Sequence, residues 1–157
     1  MLSFSTLADR LRQRRQSRRL AALTLDAARV RAAQGAALLD DRDPGWAARI
    51  DPGSLALGDG AACVLGQLWG EYRHGLGRAR IIDLSSAPTR FVSPVDLGFQ
   101  AVGDLGDAAE ALDYALLTRA WRDQLAARVG VPEAEAPPSL RGAPISTPPR
   151  NVAPELG

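Results

Sequence analysis

The chain has no lysine: all nineteen of its basic side chains are arginine. It has one cysteine and one histidine in 157 residues, and aromatic side chains make up only 5% of it. A single thiol excludes an internal disulfide framework. One cysteine and one histidine also fall short of the four ligands that a structural zinc site takes, so no metal is expected. No apolar run approaches the eighteen or so residues of a membrane span, so no membrane is expected as a partner. The N-terminus is Arg-rich and acid-poor, but Asp26 interrupts the apolar run that begins at Leu20. A secretory signal is therefore not expected, and the cytoplasm is the expected compartment. The glycines lack the strand-to-helix setting of a phosphate-cradling loop, so no nucleotide cofactor is expected.

What is abundant is alanine and leucine, both good helix formers, while segments rich in Val, Ile, Thr or aromatics are few. A mainly helical, all-α fold follows, and the length suits one domain. Codon bias in a GC-rich genome produces arginine without lysine. Selection for phosphate binding would also require the arginines to cluster. They cluster once: Arg10, Arg12, Arg14, Arg15, Arg18 and Arg19 stand against Asp9 alone in residues 1–20. The formal net charge is only +1, so the remainder must lean acidic. Between Ile81 and Ala127, Asp83, Asp96, Asp104, Asp107, Glu110, Asp113 and Asp123 outnumber Arg90, Arg119 and Arg122.

Three regions follow from the pattern. Residues 1–19 form a basic helix or arm, opened by the weak Thr6-x-x-Asp9 capping signal. Its arginines spread over half the helix circumference with Leu7 and Leu11 among them, so it has no stripe to bury in its own domain. Residues 20–130 form a helical core. Leu20, Leu23, Ala27, Val30, Ala37 and Leu38 recur at three- and four-residue steps and predict a core-facing helix ending near Asp40. Asp43-Pro44-Gly45 predicts a short turn over Trp46–Ile50 capped by Asp43. The next helix is predicted as one piece, Ala61–Leu76, with Leu65, Leu68, Trp69 and Tyr72 inward. Ala62, Gly66 and Gly70 lie four apart on its flank, a groove for close packing of another helix. Arg80–Leu84 and Thr89–Val92 are candidate strands of a short hairpin. Asp107 with Glu110 opens a long helix to about Val129, closed by Gly130, with Tyr114, Leu117, Trp121 and Leu125 inward. Trp69 and Trp121 are the expected aromatic centre. Seven of the eleven prolines fall in residues 131–157, which read as a disordered tail.

No catalytic constellation is visible. Cys63 and His74 would lie about 16 Å apart along one continuous helix, beyond the reach of a thiolate–imidazole pair. His74 reads as exposed and Cys63 as a small residue beside the core. Gln67, Glu71, His74 and Arg78 read as one solvated face. Asp40, Asp41 and Asp43 are explained by helix-end and turn capping without a metal. The protein is expected not to be an enzyme.

The segments GAALLDDRDPGWAARIDP (35–52), CVLGQLWGEYRHGL (63–76), DLGF (96–99) and YALLTRAWRDQL (114–125) resemble a group of small proteins of actinobacteria and their phages. The resemblance covers about residues 30–128 and implies no reaction. The positive functional signal lies outside it, in the arginine segment, which would neutralise several phosphates. The expected function is a non-enzymatic accessory or regulatory protein that contacts nucleic acid through Arg10, Arg12, Arg14, Arg15, Arg18 and Arg19. The alternative is a protein-interaction or virion-associated component whose arm and tail become ordered against neighbouring subunits or by self-association.

Overall fold

The computed structural model describes residues 4–81 and 93–130, and within these the chain is mainly helical, with no strand. The elements are α1 (Phe4–Ala21), α2 (Leu25–Arg42), a 3-10 turn (Trp46–Arg49), α3 (Val64–Trp69), α4 (Tyr72–Arg78) and α5 (Asp107–Val129). The candidate strand at Thr89–Val92, most of that at Arg80–Leu84, and the tail over residues 131–157 lie outside the described residues.

The break between α1 and α2 falls at Ala22–Thr24, inside the stretch whose pattern predicts one helix from Leu20. Thr24 is extended (φ −125°), and its hydroxyl accepts the Ala27 N–H at 3.2 Å, so its side chain starts a new helix. The buried face of α2 also differs from the expected one. It consists of Ala28, Ala32, Gly35, Ala36 and Leu39, while Val30 is 59% exposed and Leu20 and Ala37 point to solvent. Small residues occupy the seam because α5 approaches closely there. A Cβ on Gly35 would lie 2.8 Å from the Trp121 ring and would collide with the Leu97 carbonyl.

α5 covers the predicted span, but Gly106 rather than Asp107 is its N-cap and no side chain caps it. Asp107 and Glu110 lie in its first turn, and the helix buries Ala109, Asp113, Leu117, Ala120, Trp121 and Leu125. Trp121 is the centre of the core. Trp46 meets it edge-on at 5.7 Å and 85°, and Phe99 stacks on it at 5.1 Å. Both partners are almost fully buried. The expected partner Trp69 is only half-buried, at the last residue of α3. Trp46 replaces it because its indole N–H donates to Asp40 at 2.8 Å and the Arg128 guanidinium covers its ring at 5.5 Å.

The predicted Ala61–Leu76 helix is two helices. Gly70 sits at φ +89°, which ends α3, and the Glu71 carboxylate then accepts the His74 N–H at 3.1 Å to begin α4. The chain folds back here, so that a Cβ on Gly75 would lie 2.6 Å from Leu65 Cβ. The polar face expected over Gln67, Glu71, His74 and Arg78 is therefore divided. Gln67 turns to the loop before α3, accepting the Asp51 N–H at 2.8 Å and donating to the Asp51 carbonyl at 3.2 Å.

Candidate nucleic-acid interface

α1 holds eighteen residues, a rod about 27 Å long. Every residue from Leu7 to Ala22 is exposed, and this includes Leu7 (61%) and Leu11 (48%). Burial therefore does not hold this stretch, Leu7 to Ala22, to the domain. Thr6, the expected cap, falls inside the helix rather than ahead of it.

The six arginines divide by position and by charge. Arg10, Arg14 and Arg18 follow one another at four-residue steps, a row about 12 Å long on one side. Arg12 and Arg19 lie about two-fifths of a turn round the helix from Arg14, with Arg15 between the two sets. Both arginines of the second set face carboxylates. Arg12 is 4.0 Å from Asp9. Arg19 grips Asp104 with two hydrogen bonds of 2.5 and 2.6 Å. Those bonds hold the Asp104 carboxyl below the usual carboxylate range and raise the Arg19 guanidinium above its ordinary value, against a smaller opposing effect of desolvation. Among the described residues no carboxylate pairs with Arg10, Arg14, Arg15 or Arg18.

Asp104 is itself positioned from the core. It lies in the loop before α5, next to the buried Leu105. The loop is tied down at Val102, whose N–H donates to Asp113 Oδ2 at 3.0 Å. Asp113 is fully buried on α5, and both its oxygens accept from the Arg31 guanidinium of α2. A buried carboxylate is stable only when its lone pairs are satisfied in this way. The order Arg31, Asp113, Val102, Asp104, Arg19 thus leads from the helix seam to the base of the arm.

No family model, curated protein or solved structure matches the chain. Among the described residues, no helix is long and apolar enough to cross a membrane.

The other candidates are placed as follows. Cys63 is buried and caps α3, its sulfur accepting the Gly66 N–H at 3.2 Å. Burial pushes its thiol up, away from thiolate character. His74 is exposed on α4. Asp40 accepts from Arg128 and Trp46, Asp41 lies 3.7 Å from Arg42, and Asp43 pairs with Arg49, so the acidic cluster is divided among ion pairs. Ala62, Gly66 and Gly70 do not form a groove for a second helix. A Cβ on Gly66 would lie 2.6 Å from the Ala61 carbonyl oxygen of the preceding loop, and Gly70 faces open space in a left-handed turn. Close approaches to other helices or distant loops occur at Gly35, Gly75 and Gly98.

Two residues that position the arm are missed by the sequence pattern. Asp104 pairs across 85 residues, and no local pattern marks it. Asp113 carried a usable signal: it stands four residues before Leu117 and eight before Trp121, on the buried stripe of α5.

Proposed function

We propose that this is a non-enzymatic accessory or regulatory protein that contacts nucleic acid, with α1 laid against the phosphate backbone. One observation carries the reading: α1 is exposed from Leu7 onward and bears four arginines that face no carboxylate among the described residues. A helix of this kind gains little from its own domain. Against a polyanion, each arginine brought to a phosphate releases a condensed counterion. Arginine also suits the task by geometry, because its planar fork matches a phosphate with two parallel N–H donors. The helix carries no aromatic side chain between Leu7 and Ala21, so base stacking supplies nothing and sequence preference should be weak.

The test is fluorescence anisotropy of a labelled random-sequence DNA duplex with the full chain at 50, 100 and 200 mM salt, concentrations at which counterion release governs affinity. Binding at the lowest salt that weakens steeply as salt rises supports the reading. No binding at about 50 mM salt overturns it, and makes the arm a protein contact instead.

A further inference from the structure

The six arginines are not equivalent, and the difference lies in where carboxylates stand. Arg12 has Asp9 at 4.0 Å, and Arg19 has both oxygens of Asp104. Arg10, Arg14 and Arg18 have no such neighbour among the described residues. We propose that α1 meets a nucleic-acid duplex with the Arg10–Arg14–Arg18 row, while Arg19 is a positioning residue that binds Asp104 rather than phosphate. The inference rests on the nucleic-acid reading above and narrows it to one face of one helix.

Two physical arguments carry it. The first is charge complementarity. A phosphate approaching Arg19 meets the Asp104 carboxylate at the same guanidinium, and must displace two good hydrogen bonds before it forms its own. A phosphate approaching Arg14 or Arg18 displaces only water. The second is geometry. The row rises about 12 Å while turning roughly 80° round α1, and each strand of a duplex presents one phosphate per about 3.4 Å of axis, so three contacts fit along this side of the helix. Arg19 lies on another side of α1, where its pairing with Asp104 holds the base of the helix on the loop before α5. The row is thereby presented away from the acidic Asp104. The partner class is a phosphate backbone in duplex form, recognised without regard to base sequence.

The decisive experiment compares two double variants in the full chain, using the labelled random-sequence duplex over a salt series. Arg14→Gln with Arg18→Gln should flatten the plot of log affinity against log salt by about 1.8, at roughly 0.9 for each lost contact. Arg19→Gln with Asp104→Asn removes a cation and an anion together and should change that slope by less than about 0.5. Far-UV circular dichroism should show unchanged helix content in both, since glutamine is a good helix former. If the Arg19/Asp104 variant loses as much slope as the Arg14/Arg18 variant, the assignment of the face is overturned and the nucleic-acid reading stands. If the Arg14/Arg18 variant keeps the full slope, the assignment is likewise overturned. If the unaltered chain binds no duplex, both fall together.

Discussion

The indole N–H of Trp121 donates to the carbonyl oxygen of Gly98 at 2.7 Å, and this bond fixes the loop before α5 onto the seam between α2 and α5. Gly98 takes φ +65° there, and a Cβ on it would lie 2.9 Å from the Ala32 backbone nitrogen. Gly35, one turn further along α2, meets the same tryptophan ring. Gly35 thus admits the tryptophan ring, and Gly98 admits the α2 backbone beside it.

Glycine substitutions should separate accordingly. Gly35→Ala should cost about 2–3 kcal/mol, since neither the Trp121 ring nor the Leu97 carbonyl can withdraw. Gly77→Ala in α4 faces open space at an ordinary φ and should stabilise by roughly 0.5–1 kcal/mol. Urea midpoints of the two variants check this. A tolerated Gly35→Ala would mean that the seam is looser than described.

The buried pair of Arg31 and Asp113 should behave as a unit. Arg31→Leu leaves a buried carboxylate without its cation and should destabilise by about 3–5 kcal/mol. Adding Asp113→Leu should recover a good part of that loss, because the uncompensated charge is gone. A double-mutant cycle by urea denaturation measures the coupling. Strictly additive losses would show that the two side chains do not act together.

The helix whose span was most legible in the sequence is α5. Asp107 and Gly130 bracket α5, and its inward residues Leu117, Trp121 and Leu125 were legible from spacing alone. The exposed arginine helix was also legible, because it has no apolar stripe. Two kinds of feature were not. The α2 seam is lined by alanine and glycine, and a pattern weighted by side-chain size assigns the inward face to Leu20 and Val30 instead. The Gly70 break turns on a left-handed φ, which a glycine in a helical pattern permits without announcing. Once that break is missed, Trp69 is assigned to the core and Trp46, in a short turn, is passed over. The Arg19–Asp104 contact depends on how distant segments meet, so no local pattern could give it.

Arg80 is the only non-glycine residue at positive φ among the described residues, at 52°. It stands just past α4, where the Ile81 N–H bonds the Leu76 carbonyl at 3.0 Å and the Arg80 N–H bonds that of Gly77 at 3.1 Å. Glycine is the usual residue at this position in that helix-ending motif. Arg80→Gly should therefore stabilise by up to about 1 kcal/mol, as relief of left-handed strain outweighs the added freedom of the unfolded chain. A lower thermal midpoint would show that the arginine side chain contributes contacts of its own.

Tyr72 should give the protein an alkaline limb. Burial is the main cause that pushes its phenol up to about 12, with Tyr114 and Cys63 adding to it, while its hydroxyl donates to Gln100 at 3.1 Å. A pKa raised on folding stabilises below the unfolded value of about 10. That contribution is lost as pH rises from there towards the folded value. Absorbance at alkaline pH should show a phenolate step near 12 in the folded protein. Tyr72→Phe should remove that step and reduce the loss of stability between pH 10 and pH 12. A first step at the ordinary tyrosine value from this residue would mean that the α4 site is open to water.

Deleting residues 1–19 should leave the core intact, since every side chain from Leu7 to Arg19 is exposed. The lost Arg19–Asp104 pair is itself solvent-facing, so water and salt screen it and its loss should matter little. The thermal midpoint should move by no more than roughly 4–8 °C. A larger fall would make the arm part of the core.

That folded, truncated chain provides the most direct measurement of the central claim. The full chain and the chain lacking residues 1–19 should be titrated side by side against a random-sequence duplex at several salt concentrations. The full chain should bind with a log–log salt slope of about −2.7 or steeper, for three phosphate contacts, and the truncated chain should not bind. Equal binding by the two chains, with equal slopes, would contradict the account.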